Sequence, residues 1–122
     1  MTDEDFSKLV AEGMDAIPDE FAEHIDNVVV VFADEPSEQQ RQELHLRDNT
    51  VLFGLYEGIP KTSRQSYNMA LPDKITIFKN EIIRVVGTDK EAIRKQVTKT
   101  VWHEIAHHFG LSDAEIHRLE IT

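Results

Sequence analysis

The chain has 122 residues, no cysteine, and 13 basic against 23 acidic side chains, a formal net charge of −10. The missing cysteines exclude disulfides and thiolate metal sites, so any bound metal has to be held by His, Asp or Glu. The charge argues against a nucleic-acid partner, which needs a basic face. The one loose basic group, Lys90, Arg94, Lys95 and Lys99, has helical spacing and reads as a solvated helix face. No apolar run approaches a membrane span. The length is that of one domain, residues 1–122, with a modest core. The acidic start lacks the basic and apolar parts of a signal peptide, so a cytoplasmic location is expected.

Taken in chain order, Asp3 to about Ala16 is the first expected helix, because Phe6, Leu9, Val10 and Met14 recur at helical spacing behind an acidic first turn. Pro18 ends it, and Asp19 to His24 is expected to form a short turn of helix. The unbroken apolar run Val28–Phe32 predicts a strand buried on both faces. Ser37 is the N-cap expected for a short helix to about Leu44. Val51 to Tyr56 is a second expected strand, and strand–helix–strand suggests a parallel pair with a right-handed crossover. Ile59 to Pro72 is a long polar loop of the kind that often carries function. Lys74 to Phe78 is a third expected strand, approached through Pro72 as an edge strand would be. The fold class expected is therefore α+β, with a small mixed sheet of three to four strands packed on a long helix, and flanking helices.

That long helix begins at a capping box, Thr88-Asp89-Lys90-Glu91, and runs to about Phe109. Gly110 stops it, since Gly takes the left-handed conformation a helix C-terminus often needs. Ser112-Asp113-Ala114-Glu115 is a second capping box and opens a last short helix.

Inside the long helix stands His103-Glu104-Ile105-Ala106-His107. Residues four apart share a helix face, so His103 and His107 can direct two imidazole nitrogens at one ion. Glu104 is turned about 100° from His103, beside such an ion rather than on it. Ile93, Val97, Val101 and Ile105 form an i, i+4 ridge that has to be the core side. The two histidines lie about 200° round from it, facing a cleft or solvent. His108 falls close to the core ridge and reads as a buried structural histidine. Two ligands leave zinc short, and Gly110 turns the chain back so that Asp113, Glu115 or His117 could approach. Asp113 is the favoured third ligand, because Glu115 already serves the capping box.

The run His103 to Asp113 resembles the minimal zincins, small bacterial proteins of zinc metallopeptidase type. Two further segments carry the resemblance, Phe53-Gly54-Leu55-Tyr56-Glu57-Gly58-Ile59-Pro60-Lys61-Thr62 and Leu71-Pro72-Asp73-Lys74-Ile75-Thr76-Ile77-Phe78. The resemblance implies a zincin-like fold, one Zn²⁺ per chain on His103, His107 and Asp113, and Glu104 as catalytic base. It also implies peptide-bond hydrolysis, with an extended peptide substrate lying along Lys74–Phe78. The larger metzincins usually carry His where this chain has Asp113, followed by a Met-containing turn, and no Met follows Asp113 here. Oxyanion partners could come from Tyr56, Tyr67 or His117. One rival reading is a non-catalytic zinc protein in which His117 closes a four-ligand shell. A second is a metal-dependent ribonuclease, against which the acidic charge and Glu104 argue.

Overall fold

In the computed structural model, residues 1–47, 50–58 and 72–121 are described, without the side chains of 117 and 119–121. The elements are α1 (Asp3–Asp15), α2 (Asp19–Ala22), β1 (Val28–Ala33), α3 (Glu38–Glu43), β2 (Gly54–Glu57), β3 (Asp73–Phe78), α4 (Lys79–Val86), α5 (Lys90–His108) and α6 (Asp113–Ile121). The sequence dictates most of their beginnings. Thr2 with Asp5 caps α1, Ser37 with Gln40 caps α3, and Ser112 with Glu115 stands at the start of α6, each as a reciprocal pair of side-chain to backbone hydrogen bonds. α5 departs from expectation by one residue. Its N-cap is Asp89, which accepts from the Ala92 N–H at 3.0 Å, rather than Thr88.

The sheet is mixed and three-stranded, in the order β1-β3-β2. β1 pairs parallel with β3, and β2 pairs antiparallel with β3. Two expectations are corrected by this. The parallel partner of β1 is β3, not the second strand. And Lys74–Phe78 is the central strand, with Val28–Ala33 bonded on one side and Gly54–Glu57 on the other, so its backbone groups are taken and no peptide can add to it. Among the described residues β1 lies at the edge of the sheet, and it is not buried on both faces, with Val29 42% exposed. The Ile59–Pro72 loop lies outside the described residues up to Leu71.

The core lies between the sheet and the two long helices. Ile75 and Ile77 of β3 meet Ile93, Val97, Val101 and Ile105 of α5 and Phe6, Leu9 and Val10 of α1, all buried. The expected α5 ridge is therefore the one that faces inward, with α1 and the strands packed against it. α4 was not foreseen. It follows β3 without a loop, and its N-cap, Phe78, offers no side-chain hydrogen bond. Its Glu81 is fully buried, held by Arg41 Nη2 at 2.7 Å and Arg84 Nη1 at 2.8 Å. Arg41 also donates to the Thr50 carbonyl at 3.2 Å, which ties α3 and the approach to β2 onto α4. A buried carboxylate is tolerated only when paired in this way.

Candidate metal centre

The end of α5 is built by its glycine. Gly110 has φ +81, and the Gly110 N–H bonds to the His107 carbonyl at 2.9 Å while the Leu111 N–H bonds to the Ala106 carbonyl at 3.1 Å. These two bonds are the paired closure of a left-handed helix terminus. The chain reverses there, and Ser112 starts α6 with Asp113 as its first residue. Asp113 is thereby returned to the histidine face. Its Oδ1 lies 3.2 Å from His103 Nε2 and 3.3 Å from His107 Nε2, and the two rings are 4.9 Å apart. The expected residues His103, His107 and Asp113 are brought together on one oxygen.

The donor set can be tested against zinc by distance alone. Zinc–nitrogen and zinc–oxygen bonds near 2.0–2.1 Å in a tetrahedron place any two ligand atoms about 3.3 Å apart. The spacings of 3.2 and 3.3 Å fit that edge length. Two imidazoles and a carboxylate are also a donor set zinc accepts, and they leave a fourth position. Glu104 comes close as well: one ligand atom each of His103, Glu104 and His107 lie within 4.8 Å of one another. Two carboxylates, Asp113 and Glu104, therefore stand within reach of the two imidazoles, and the distances from Asp113 Oδ1 are the ones that match the tetrahedral edge. The side chain of His117 is outside the described residues, as is Tyr67.

Glu104 sits in a different environment from the histidines. His103, His107 and Asp113 are partly or largely open to solvent, with side-chain exposures of 37%, 30% and 80%. Glu104 is buried, pressed between α5 and β2. The close approach depends on Gly54, where a Cβ would come within 2.6 Å of Thr100 Cγ2 and 3.2 Å of Glu104 Cγ. Burial pushes the Glu104 carboxyl above its ordinary value, raised further by Asp113 and opposed by His107 and by a hydrogen bond from the Tyr56 backbone N–H.

β2 runs beside the site, with Gly54 against Thr100 and Glu104, and Tyr56 against Glu104 and His108. The Phe78 N–H donates to the Phe53 carbonyl at 2.8 Å, and antiparallel alternation then turns the backbone groups of Gly54 and Tyr56 to the outer edge, away from β3. An open groove of about 530 Å³ follows this edge, with Leu44, Leu46, Leu52 and Leu55 joining the histidines, Glu104 and Asp113 in its walls.

Behind the site lies a buried network that the sequence only half disclosed. His108 Nδ1 is 2.7 Å from Asp73 Oδ2, and both side chains are 0% exposed. The Tyr56 hydroxyl donates to the same Asp73 oxygen at 2.7 Å. His108 is thus the structural histidine expected from its place on the wheel. Asp73 was missed as its partner, and the only signal was that a buried imidazole has to be paired with something. Tyr56, one of the three candidate oxyanion partners, directs its hydroxyl into this network.

No helix among the described residues is long and apolar enough to cross a membrane. A search of curated proteins returned no match to the chain. The family model for zincin-like metallopeptidases matches residues 25–122, which takes in the whole sheet, the long helix and every residue of the site. The α+β fold, with its small mixed sheet on a long helix, agrees with that match, and the family implies a zinc cofactor. The chain belongs to the zincin-like metallopeptidase family.

Proposed function

We propose that the protein hydrolyses peptide bonds with one zinc ion per chain, held by His103, His107 and Asp113, and with Glu104 as general base. The observation that carries this reading is the single Asp113 oxygen lying 3.2 and 3.3 Å from the two Nε2 atoms, beside a buried Glu104. Zinc at such a centre supplies Lewis acidity, acidifying a water and polarising a substrate carbonyl.

The chain's own residues do the rest. Glu104 takes a proton from the attacking water as its oxygen bonds to the carbonyl carbon. It then hands that proton to the departing amine nitrogen as the carbon–nitrogen bond breaks. The Tyr56 N–H keeps the Glu104 carboxylate aimed at the site, and burial makes it a stronger base than an exposed glutamate. The substrate proposed is an extended peptide. Because β3 is saturated on both sides, the strand offered to it is the outer edge of β2, through the backbone groups of Gly54 and the Tyr56 carbonyl, the Tyr56 N–H being taken by Glu104.

Glu104→Gln tests the mechanism. The variant should bind zinc as the parent does and cleave a mixed peptide library about 10²- to 10⁴-fold more slowly, the usual weight of a general base. Unchanged cleavage would remove Glu104 from the reaction.

A further inference from the structure

A second groove, larger than the one beside His103 and His107, lies on another face of α5. The end of α1, Pro18 and α2 form one wall and the N-terminal half of α5 the other, enclosing about 640 Å³. That volume is in the range of small-molecule sites. Its floor is apolar: Ile17, Phe21 and Trp102 line it, and the rings of Phe21 and Trp102 meet edge to face with centroids 5.0 Å apart. The wall from Gly13 to Phe21 precedes the stretch, residues 25–122, that matches the family, so the family's shared chemistry does not account for the groove.

The rim is basic in an acidic protein. Arg94, Lys95 and Lys99 stand along it. Arg94 is engaged by Glu12 at 3.1 Å and Glu91 at 3.0 Å. Lys95 and Lys99 are exposed, four residues apart on one helix face, and in no ion pair among the described residues. Glu20, on the α2 wall, is the one acid lining the groove and forms no ion pair with either lysine among the described residues. Two ammonium groups over an aromatic floor, against that one carboxylate, complement a ligand that is apolar along its length and anionic at one end. A second copy of the chain is a poor occupant, since each carries a net charge of −10.

We propose that this groove binds a small amphipathic carboxylate, its apolar body lying on Ile17, Phe21 and Trp102 and its carboxylate at Lys95 and Lys99. The proposal is independent of the zinc site and of peptide hydrolysis. Trp102 is the chain's one tryptophan, so its emission reports on the groove directly.

The experiment is a fluorescence titration of the full chain at low salt with decanoate, decanol and decyltrimethylammonium, each below its micellar concentration. Decanoate should change the Trp102 emission saturably, with the alcohol and the cation binding about tenfold or more weakly. The Lys95→Met, Lys99→Met double variant should weaken decanoate about tenfold and leave decanol unchanged, the combined weight of two exposed ion pairs. An independent check needs no variant: 0.5 M salt should weaken decanoate and not decanol, because only the charged contact is screened. Absence of saturable binding, equal affinity for decanoate and decanol, or indifference of decanoate to both the lysines and salt would overturn the proposal. So would an emission change that follows protein concentration alone, which would make a second copy the occupant.

Discussion

At the C-terminal end of α5 two imidazole–carboxylate clusters lie back to back. In one, His103 and His107 share Asp113 Oδ1 at 3.2 and 3.3 Å, and the Asp113 side chain is 80% exposed. In the other, His108 meets Asp73 Oδ2 at 2.7 Å with both side chains 0% exposed, and Tyr56 donates to the same oxygen. The residue types are the same and only the environment differs. The buried cluster has the spacing of a hydrogen bond and joins β2, β3 and α5. The exposed cluster has a wider spacing, which fits the edge of a zinc tetrahedron. His107 and His108 are adjacent on the helix, so fixing the rotation of α5 at His108 also fixes the direction in which His107 points.

The comparison breaks or sharpens on two carboxylate substitutions. Asp73→Ala removes the acceptor shared by a buried imidazole and a partly buried tyrosine, and should cost about 3–5 kcal/mol in the metal-free protein. Asp113→Ala touches an exposed side chain and should cost less than about 1 kcal/mol there. Urea unfolding of both variants after chelation measures the difference. Equal losses would mean that the two clusters do not differ in kind.

A smaller effect separates Glu104 from both clusters. Its carboxyl is raised by burial, so between the ordinary value of 4.5 and the raised one the folded chain holds more of this proton than the unfolded chain does. Stability of the metal-free protein therefore falls as pH rises through that window, and the charged carboxylate is a net cost above it. Glu104→Gln removes the cost. Thermal unfolding of the metal-free variant should come at a higher temperature than the parent's at neutral pH, and the difference should close as pH falls below 4.5. A variant less stable than the parent at neutral pH would show that the buried carboxylate is held by partners rather than strained by its surroundings.

The site was far more legible in the sequence than the sheet. Helical period alone placed Val101 and Ile105 inward and His103 and His107 outward, because both facts depend on residues within two turns of one another. Gly110 and the Ser112 capping box told where the chain turned, and so which residue came back. Strand order is a long-range property, and nothing in Val28–Ala33 says that it will pair with a strand some 45 residues on rather than with Gly54–Glu57. Pro72 misled for the same reason: it precedes a strand that is central, and it lies one residue outside the ladder. α4 was hidden because Phe78 passes straight from strand to helix without a capping side chain. Asp73 and Glu81 each look like ordinary surface acids until the partners that bury them, His108 and Arg41, arrive from 35 and 40 residues away. Gly54 stands in one of the segments that carry the family resemblance, and only the packing shows why it is glycine: β2 has to approach Thr100 and Glu104 too closely for a Cβ.

The metal content of the purified protein, measured beside that of a His103→Ala, His107→Ala double variant, tests the central claim most directly. The parent should carry close to one zinc per chain and the variant essentially none, with the helix content of the two unchanged. Full zinc occupancy in the double variant would contradict the account, because the ion would then sit somewhere other than the face that His103, His107 and Asp113 share.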